Sequence, residues 1–369
     1  MDVLERAKEL EAQGHDIVHF EVGEPDLPTP EPVCDEAISA IRRGETKYTP
    51  SLGIPELRES IAQDYSRTSG VSVSGDNVVI TLGSSPALFL VMIALFDPGD
   101  EIIITDPHYS CYPQIIKIAG AVPKLVKIYE DEGFQIDISR VKKEITPRTK
   151  GILINSPANP TGVILEPGVM SEIAEIGLTV ISDEIYSGIV YEGAAPSILQ
   201  FTDRAFMVSG FSKLYSMTGW RLGYFIAPRD CIRTVQKLQQ NLFISPNSFV
   251  QRAGVAAVEK AKEYASSMVE TYAKRRNLMI NGLRELGFEI KSNPKGAFYV
   301  FMNASRMGTK SLDLAFDILE KAHVAVTPGV DFGPGGEGYL RFSYATSAEL
   351  IKEGLKRLGG YLETENKGR

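Results

Sequence analysis

The feature that most constrains the fold is an alternation of short apolar segments with helical ones between residues 78 and 228. The apolar segments are hydrophobic at consecutive positions, so both faces of each strand would be buried. Strands of this kind, separated by helices, are typical of a mainly parallel sheet covered by helices on both sides. The segments are VVIT, EIIIT, VPKLVKIY, GILIN, TVIS, AFMVS and LGYFIA. The sequence therefore predicts an α/β fold with a mainly parallel, seven-stranded sheet.

The pattern changes after about residue 261, where one long charged helix is followed by strand-like segments and a final helix. The strand-like segments are FEIKS, GAFYVFM, VAVTPG and GYLRFSYA. A chain of 369 residues also exceeds the size at which single cores stop growing, about 250–300 residues. We therefore predict a large domain over residues 36–270 and a smaller α+β domain formed by residues 1–35 and 271–369.

Charge and composition exclude several classes of partner. A net charge of −8 argues against nucleic acid or an anionic membrane. No apolar run approaches the roughly 20 residues of a membrane span, and the opening MDVLERAKELEAQG is typical of an amphipathic helix, not of a cationic leader. The three cysteines form no CxxC pair, and the four histidines form no HxH or HExxH cluster. We expect a cytoplasmic protein without membrane, nucleic-acid or metal partners.

Polar and aromatic side chains follow five of the predicted strands. Because the carboxyl ends of parallel strands meet at one edge of a sheet, where ligands bind in open α/β folds, these side chains predict a ligand site. They are Ser84 and Ser85, Tyr109, Asn159, Asp183 with Tyr186, and Lys213.

Lys213 stands in a small polar turn after an apolar strand, and Arg221 follows eight residues later. This arrangement suits an amine that forms a Schiff base beside a bound phosphate, and it equally suits a surface turn. Ser84 and Ser85 open a helix, where free amides and hydroxyls can bind phosphate or simply cap the helix.

Asp183 ends an apolar strand, and a carboxylate there needs a partner such as a protonated heteroaromatic nitrogen, unless it only caps a helix. Tyr186 could face the same ring or belong to the core. Asn159 is by default a turn residue and Tyr109 a core residue. Arg341 lies in the middle of a strand, where a guanidinium is best explained as a clamp on a carboxylate.

Six stretches together resemble the class I/II aminotransferases of the pyridoxal-phosphate fold type I superfamily. They are EVGEPDLPTP, KYTPSLGIPELR, NSPANPTG, ISDEIY, FSKLYSMTGWRLG and LRFSYATS, in the order found in the family and across nearly the whole chain. The resemblance implies an aminotransferase that moves an amino group from an L-amino acid to a 2-oxo acid, with 2-oxoglutarate expected. The kinetics would be ping-pong.

The resemblance also implies roles around the cofactor ring. Lys213 would carry the Schiff base with pyridoxal phosphate and act as the catalytic base. Asp183 would keep the pyridine nitrogen protonated. Asn159 and Tyr186 would hydrogen-bond the phenolic oxygen, and Tyr109 occupies the position of the stacking aromatic residue.

Further roles concern the phosphate and the substrate. Arg221, Ser84, Ser85 and Ser212 would hold the phosphate. Tyr48 would reach the cofactor of a neighbouring subunit, so a homodimer is expected. The substrate-binding residues would be Arg341 on the α-carboxylate, Asn159, and Gly23 in a loop that closes over the site.

The sequence departs from the family in three places. Gly210 replaces a serine that often binds phosphate, so either Ser209 or Ser212 would substitute for it or the contact would be lost. Some aspartate-specific relatives have a lysine near the position of Ser85 that binds the side-chain carboxylate of the substrate. This sequence has no lysine there. Residues 163–181 are short by one or two helical turns, which should affect an outer helix and not the site.

The preferred amino acid is left open, and we expect residues 20–27 and Tyr112 to line the side-chain pocket. A carbon–sulfur β-lyase that uses the same Schiff base is an alternative activity. A non-catalytic module that binds pyridoxal phosphate is a more remote one.

Overall fold

The computed structural model describes residues 2–308 and 310–367. The helices in these ranges are α1 (Asp2–Ala12), α2 (Glu31–Arg42), α3 (Pro55–Ser69), α4 (Ser84–Leu95), α5 (Tyr112–Ile118), α6 (Ile138–Glu144), α7 (Pro167–Glu175), α8 (Arg229–Leu242), α9 (Ser248–Lys260), α10 (Lys262–Glu285), α11 (Ser311–Ala322) and α12 (Ala348–Lys367). None of the helices in these ranges is both long and apolar enough to cross a membrane.

The strands are β1 (Val18–His19), β2 (Val78–Thr81), β3 (Glu101–Asp106), β4 (Val122–Lys127), β5 (Thr149–Asn155), β6 (Thr179–Asp183), β7 (Phe206–Gly210), β8 (Gly223–Ile226), β9 (Tyr299–Asn303), β10 (Val324–Ala325), β11 (Thr327–Pro328) and β12 (Tyr339–Ser343). Strands β2 to β8 form one seven-stranded sheet in the order β2-β8-β7-β6-β5-β3-β4. Only β8 runs antiparallel to its neighbours in that sheet. The predicted fold class is confirmed.

Both faces of the sheet are covered, as the continuous apolar segments predict. In β3, Ile102 and Ile104 belong to a core shared with α4, α5 and α8. Ile103 points to the opposite face and belongs to a core shared with α3, α6, α7 and α9. Successive side chains of a strand alternate between faces, so an apolar run fills both cores. The helix predicted to be short, α7, has nine residues.

The register of the sheet brings the carboxyl ends of its strands together. Asn155 at the end of β5 pairs with Asp183 at the end of β6, and Asp183 pairs with Val208 in β7. The loops that follow these strands therefore start from one edge of the sheet.

A third core joins the start of the chain to its end. It combines α1 and β1 with α10, α11, α12 and a three-stranded antiparallel sheet of order β11-β12-β9. Strand β1 pairs with β10 in parallel. We propose that this unit is the smaller domain, residues 1–35 and 271–369, and that residues 36–270 form the larger one.

One predicted strand is absent. Residues 288–292, FEIKS, form no strand in the described chain. The backbone amide of Lys291 donates to the carboxylate of Glu130 at 3.0 Å instead of to a neighbouring strand. The apolar side chains Phe288 and Ile290 are buried in the third core without strand pairing.

Candidate active site

A cavity of about 500 Å³ opens at the carboxyl edge of the large sheet, where α1, the 20–27 loop and β12 face it. All predicted site residues except Tyr48 line it: Gly23, Ser84, Ser85, Tyr109, Asn159, Asp183, Tyr186, Ser212, Lys213, Arg221 and Arg341. Helix α7 contributes no lining residue within the described chain. Residues far apart in sequence thus meet around one cavity.

Lys213 lies in the turn after β7, and its side chain is partly buried. Its Nζ donates to the backbone oxygen of Gly23 at 2.7 Å. Burial, followed by the nearby positive charge of Arg341, lowers the pKa of the Lys213 amine to about 8. A substantial fraction of the amine is therefore neutral near physiological pH, as a nucleophile or base requires.

Asp183 is the last residue of β6 and is fully buried. Its Oδ1 accepts a hydrogen bond from the amide of Ile185 at 3.1 Å, and its Oδ2 accepts one from the phenol of Tyr112 at 2.8 Å. Burial raises the pKa of the Asp183 carboxyl to about 6. A buried carboxyl with a raised pKa fits a cationic ring nitrogen that would restore its charge.

Tyr112 was expected in the side-chain pocket, and it does line the cavity. Its hydroxyl, however, is directed to Asp183. Its ring meets that of Tyr109 edge-on, with centroids 5.4 Å apart. Nothing in the sequence alone pairs Tyr112 with Asp183, because a separation of 71 positions fixes no distance between them.

The part of the cavity near Arg221 and the start of α4 is suited to an anion. Gly83 precedes α4 with φ of 109°, and a Cβ there would lie 2.7 Å from Nη2 of Arg221. Glycine thus lets the guanidinium approach the first turn of α4, where Ser84 and Ser85 lie. A helix start with free amides beside a guanidinium is a phosphate-binding arrangement.

Ser209 and Ser212, the two candidates for the phosphate contact that Gly210 cannot make, line different cavities. Ser212 lines this cavity. Ser209 instead donates to the backbone oxygen of Glu184 at 3.3 Å and lines a neighbouring cavity. Ser212 is therefore the serine available for a phosphate in this cavity.

Arg341 in β12 is buried and lines the same cavity. Nη1 donates to Oδ1 of Asn159 at 2.9 Å, and Nη2 donates to the backbone oxygen of Glu21 at 2.7 Å. The guanidinium lies 4.3 Å above the ring of Tyr299. Its Nε is enclosed and has no hydrogen-bond partner in the described chain. An orphaned donor of a buried cation fits an anionic ligand group such as a carboxylate.

Sequence reasoning missed Tyr299 and Asn155, which also line the cavity. The hydroxyls of Tyr299 and Tyr186 are hydrogen-bonded at 2.8 Å. Asn155 accepts from the amide of Asn159 at 2.8 Å and donates to the backbone oxygen of Asp183 at the same distance. Both residues lie in strands, and the sequence pattern there does not distinguish them from ordinary core residues.

Tyr48 lies outside the cavity. It occupies the loop between α2 and α3, and 82% of its surface is exposed. The adjacent Thr49 is held by hydrogen bonds with Ser245 and Pro246, so the loop packs against the segment between α8 and α9.

Comparisons with known proteins agree with this geometry. The family model described as aminotransferase class I and II matches residues 15–358. A (5-formylfuran-3-yl)methyl phosphate transaminase of Methanocaldococcus jannaschii is 41% identical over 366 residues, 98% of this chain and 96% of the relative. A probable aspartate/prephenate aminotransferase of Thermus aquaticus is 39% identical, covering 97% of this chain and 94% of the relative. The structure of Thermus thermophilus aspartate aminotransferase with maleate superposes with a TM-score of 0.93 at 38% identity, over 97% of this chain and 95% of that one.

Proposed function

This chain belongs to the aminotransferase class I and II family, and we propose that it moves an amino group from an L-amino acid to 2-oxoglutarate. It is an aminotransferase, and its cofactor is pyridoxal phosphate. When bound, the cofactor supplies an electron sink for the negative charge that develops at the substrate Cα. The observation that carries the proposal is that Lys213, Asp183 and Arg221 border one cavity.

Lys213 would attach the cofactor covalently through Nζ. Asp183, buried without an ion pair among the described residues, would hold the proton on the ring nitrogen through its carboxylate. Arg221, with Ser84 and Ser85 at the start of α4 and Ser212 beside Lys213, would hold the phosphate. These groups would bind the ring nitrogen and the phosphate of the cofactor, and would thereby fix the orientation of its ring.

Three further residues would complete the cofactor site. Tyr109 borders the cavity and would stack on the ring. Asn159 and Tyr186 would hydrogen-bond the phenolic oxygen. Asn159 is positioned for this by Asn155 and Arg341, and Tyr186 by Tyr299.

Arg341 would bind the α-carboxylate of the substrate with the guanidinium nitrogens that its internal hydrogen bonds leave available. Asn159 and Gly23 would border the same group. Once the substrate amine has displaced Lys213 from the cofactor, the freed amine of Lys213 would remove the proton from the substrate Cα, because burial and Arg341 keep its pKa near 8. Microscopic reversal with a 2-oxo acid would complete a ping-pong cycle.

We further propose that the enzyme is a homodimer in which Tyr48 reaches the partner's cofactor phosphate. Tyr48, Leu242 and Ile244 are apolar or aromatic, and each is about half exposed or more. The hydrogen bonds of Thr49 with residues 245 and 246 keep these side chains in one region. A cluster of exposed apolar side chains is typical of a surface that is covered in an assembly.

The proposal is tested by a half-reaction screen with the purified holoenzyme. Each L-amino acid is added alone, and the absorption of the lysine-bound cofactor is followed. Amino acids that remove this absorption are then given 2-oxoglutarate, and glutamate is measured. Formation of glutamate supports an aminotransferase, whereas release of pyruvate and ammonia from cystathionine without an acceptor supports a β-lyase and contradicts the proposal.

A further inference from the structure

A second cavity, of about 750 Å³, lies behind the segment that carries Lys213. Ser209, Phe211 and Leu214 line this cavity, whereas Ser212 and Lys213 line the active-site cavity. Ile185 borders both. The proposed reaction uses no residue for its contact with this second space.

The second cavity contains a buried carboxyl group, that of Glu184, which is only 2% exposed. Its Oε1 accepts three hydrogen bonds, from the Ser182 hydroxyl at 2.8 Å and from the Ser197 hydroxyl and Ile198 amide at 3.0 Å. Within residues 2–308 and 310–367, Oε2 receives none. Glu184 is thus buried as a residue, while its Oε2 stays open to the cavity and can accept a hydrogen bond from a ligand or water there.

The carboxyl groups in the second cavity have no cation beside them in its described lining. Its described lining residues include the carboxyl groups of Asp64 and Glu184 and no lysine, arginine or histidine. Asp64 is already paired with Arg67 at 2.5 Å. Glu184 has no ion-pair partner among the described side chains, and burial raises the pKa of its carboxyl to about 7. The unmet interaction in this space is therefore that of Glu184 with a cation.

The remaining walls are largely apolar and aromatic, with Phe201, Leu214 and Tyr215 among them. We propose that this cavity binds a small aromatic amine that carries no carboxylate or phosphate. The protonated amine donates to Oε2 of Glu184, and the ring packs among the aromatic and aliphatic side chains. An amino acid is disfavoured, because the described lining residues offer its carboxylate no cation and place it near the carboxyl of Glu184.

The test is calorimetric titration of the holoenzyme with N,N-dimethyl-2-phenylethylamine. A tertiary amine cannot form an imine with the cofactor, so the binding heat does not come from chemistry at Lys213. We expect a Kd below about 1 mM. Glu184→Gln removes the charge with little change of shape and should weaken binding about tenfold or more.

Asp64→Asn is the matched control, because that carboxylate is already paired and partly exposed; its Kd should stay within about twofold of the wild type. Retention of the cofactor absorption shows that each variant is folded. If Glu184→Gln does not fold, the same titration is made with Ala195→Phe. This substitution places a ring at a lining position of the cavity and should abolish binding of the amine.

A site separate from the active site should still bind the amine after the cofactor has been blocked with aminooxyacetate. The anionic analogue 3-phenylpropionate should not bind the blocked enzyme. Absence of binding at about 10 mM, a Kd that Glu184→Gln leaves unchanged, or loss of binding after the block would overturn the proposal. None of these outcomes depends on which amino acid the enzyme uses.

Discussion

The phenol of Tyr112 donates a hydrogen bond of 2.8 Å to Oδ2 of Asp183, and both side chains are fully buried. This bond lowers the pKa of the Asp183 carboxyl, while burial acts in the opposite direction and has the larger effect. Tyr112 is therefore a positioning residue for the carboxylate that would face the cofactor ring. Its contribution is to keep that carboxylate ionised and correctly oriented.

Tyr112→Phe removes this donor, so the pKa of Asp183 should rise. The acidic limb of the kcat/KM profile should then move to higher pH by about one unit or less, and the affinity for the cofactor should fall. The measurements are a pH–rate profile and a cofactor titration. Tyr344→Phe, a buried tyrosine whose hydroxyl bonds only with backbone and side chains outside the cavity, is the control. An unchanged acidic limb would remove Tyr112 from this role.

The raised pKa of Asp183 also predicts how the stability of the apoenzyme depends on pH. Because the folded pKa is about 6 and the ordinary value is 3.8, the folded state holds the proton more tightly. The associated stability is present below the ordinary value and is lost as pH rises through 6. The difference amounts to up to about 3 kcal/mol.

Asp183→Asn does not titrate, so the apoenzyme variant should gain free energy of unfolding relative to the wild type between pH 4 and pH 8. Urea denaturation of both apoenzymes at the two pH values measures this gain. The gain should shrink in the holoenzyme, where the ring nitrogen stabilises the carboxylate. A wild-type-to-variant difference that does not change with pH would contradict the assigned shift.

Lys213→Ala should abolish transamination and the absorption of the lysine-bound cofactor. Loss of a general base alone costs about 10²–10⁴-fold in rate, and loss of covalent attachment adds to it. Lys237→Ala, in the exposed part of α8, is the control and should behave as the wild type. A Lys213→Ala enzyme with full activity and an intact absorption band would falsify the assignment of Lys213.

The sequence predicted the sheet and the convergence of these residues on one cavity for a physical reason, while the roles of the site residues stay predictions. Apolar runs such as EIIIT can only be satisfied by burial on both faces, and parallel strands bring the residues after them, including Asp183 and Lys213, to one edge. The dimer, the domain boundaries and the cytoplasmic location stay predictions.

The contacts that sequence could not predict are those set by packing between distant segments. The hydroxyl of Tyr112 bonds with Asp183, and that of Tyr299 with Tyr186, because two separate elements meet there. FEIKS has the composition of a strand, but no neighbouring strand is available to pair with it in the described chain. Local pattern fixes whether a residue is buried, whereas tertiary packing fixes its partner.

The charge of the active-site cavity leads to a prediction about substrate choice. Its described lining residues supply positive charge only at Lys213, Arg221 and Arg341, and no lysine lies near Ser85 in the sequence. With those three cations assigned to the cofactor and the α-carboxylate, this chain provides no further cation for a second carboxylate. Ser85→Lys should therefore raise the ratio of kcat/KM for aspartate to that for alanine by about tenfold or more. Ser85→Ala, which removes only the hydroxyl, should leave the ratio unchanged, and an equal response of both variants would show that charge at this position does not select the substrate.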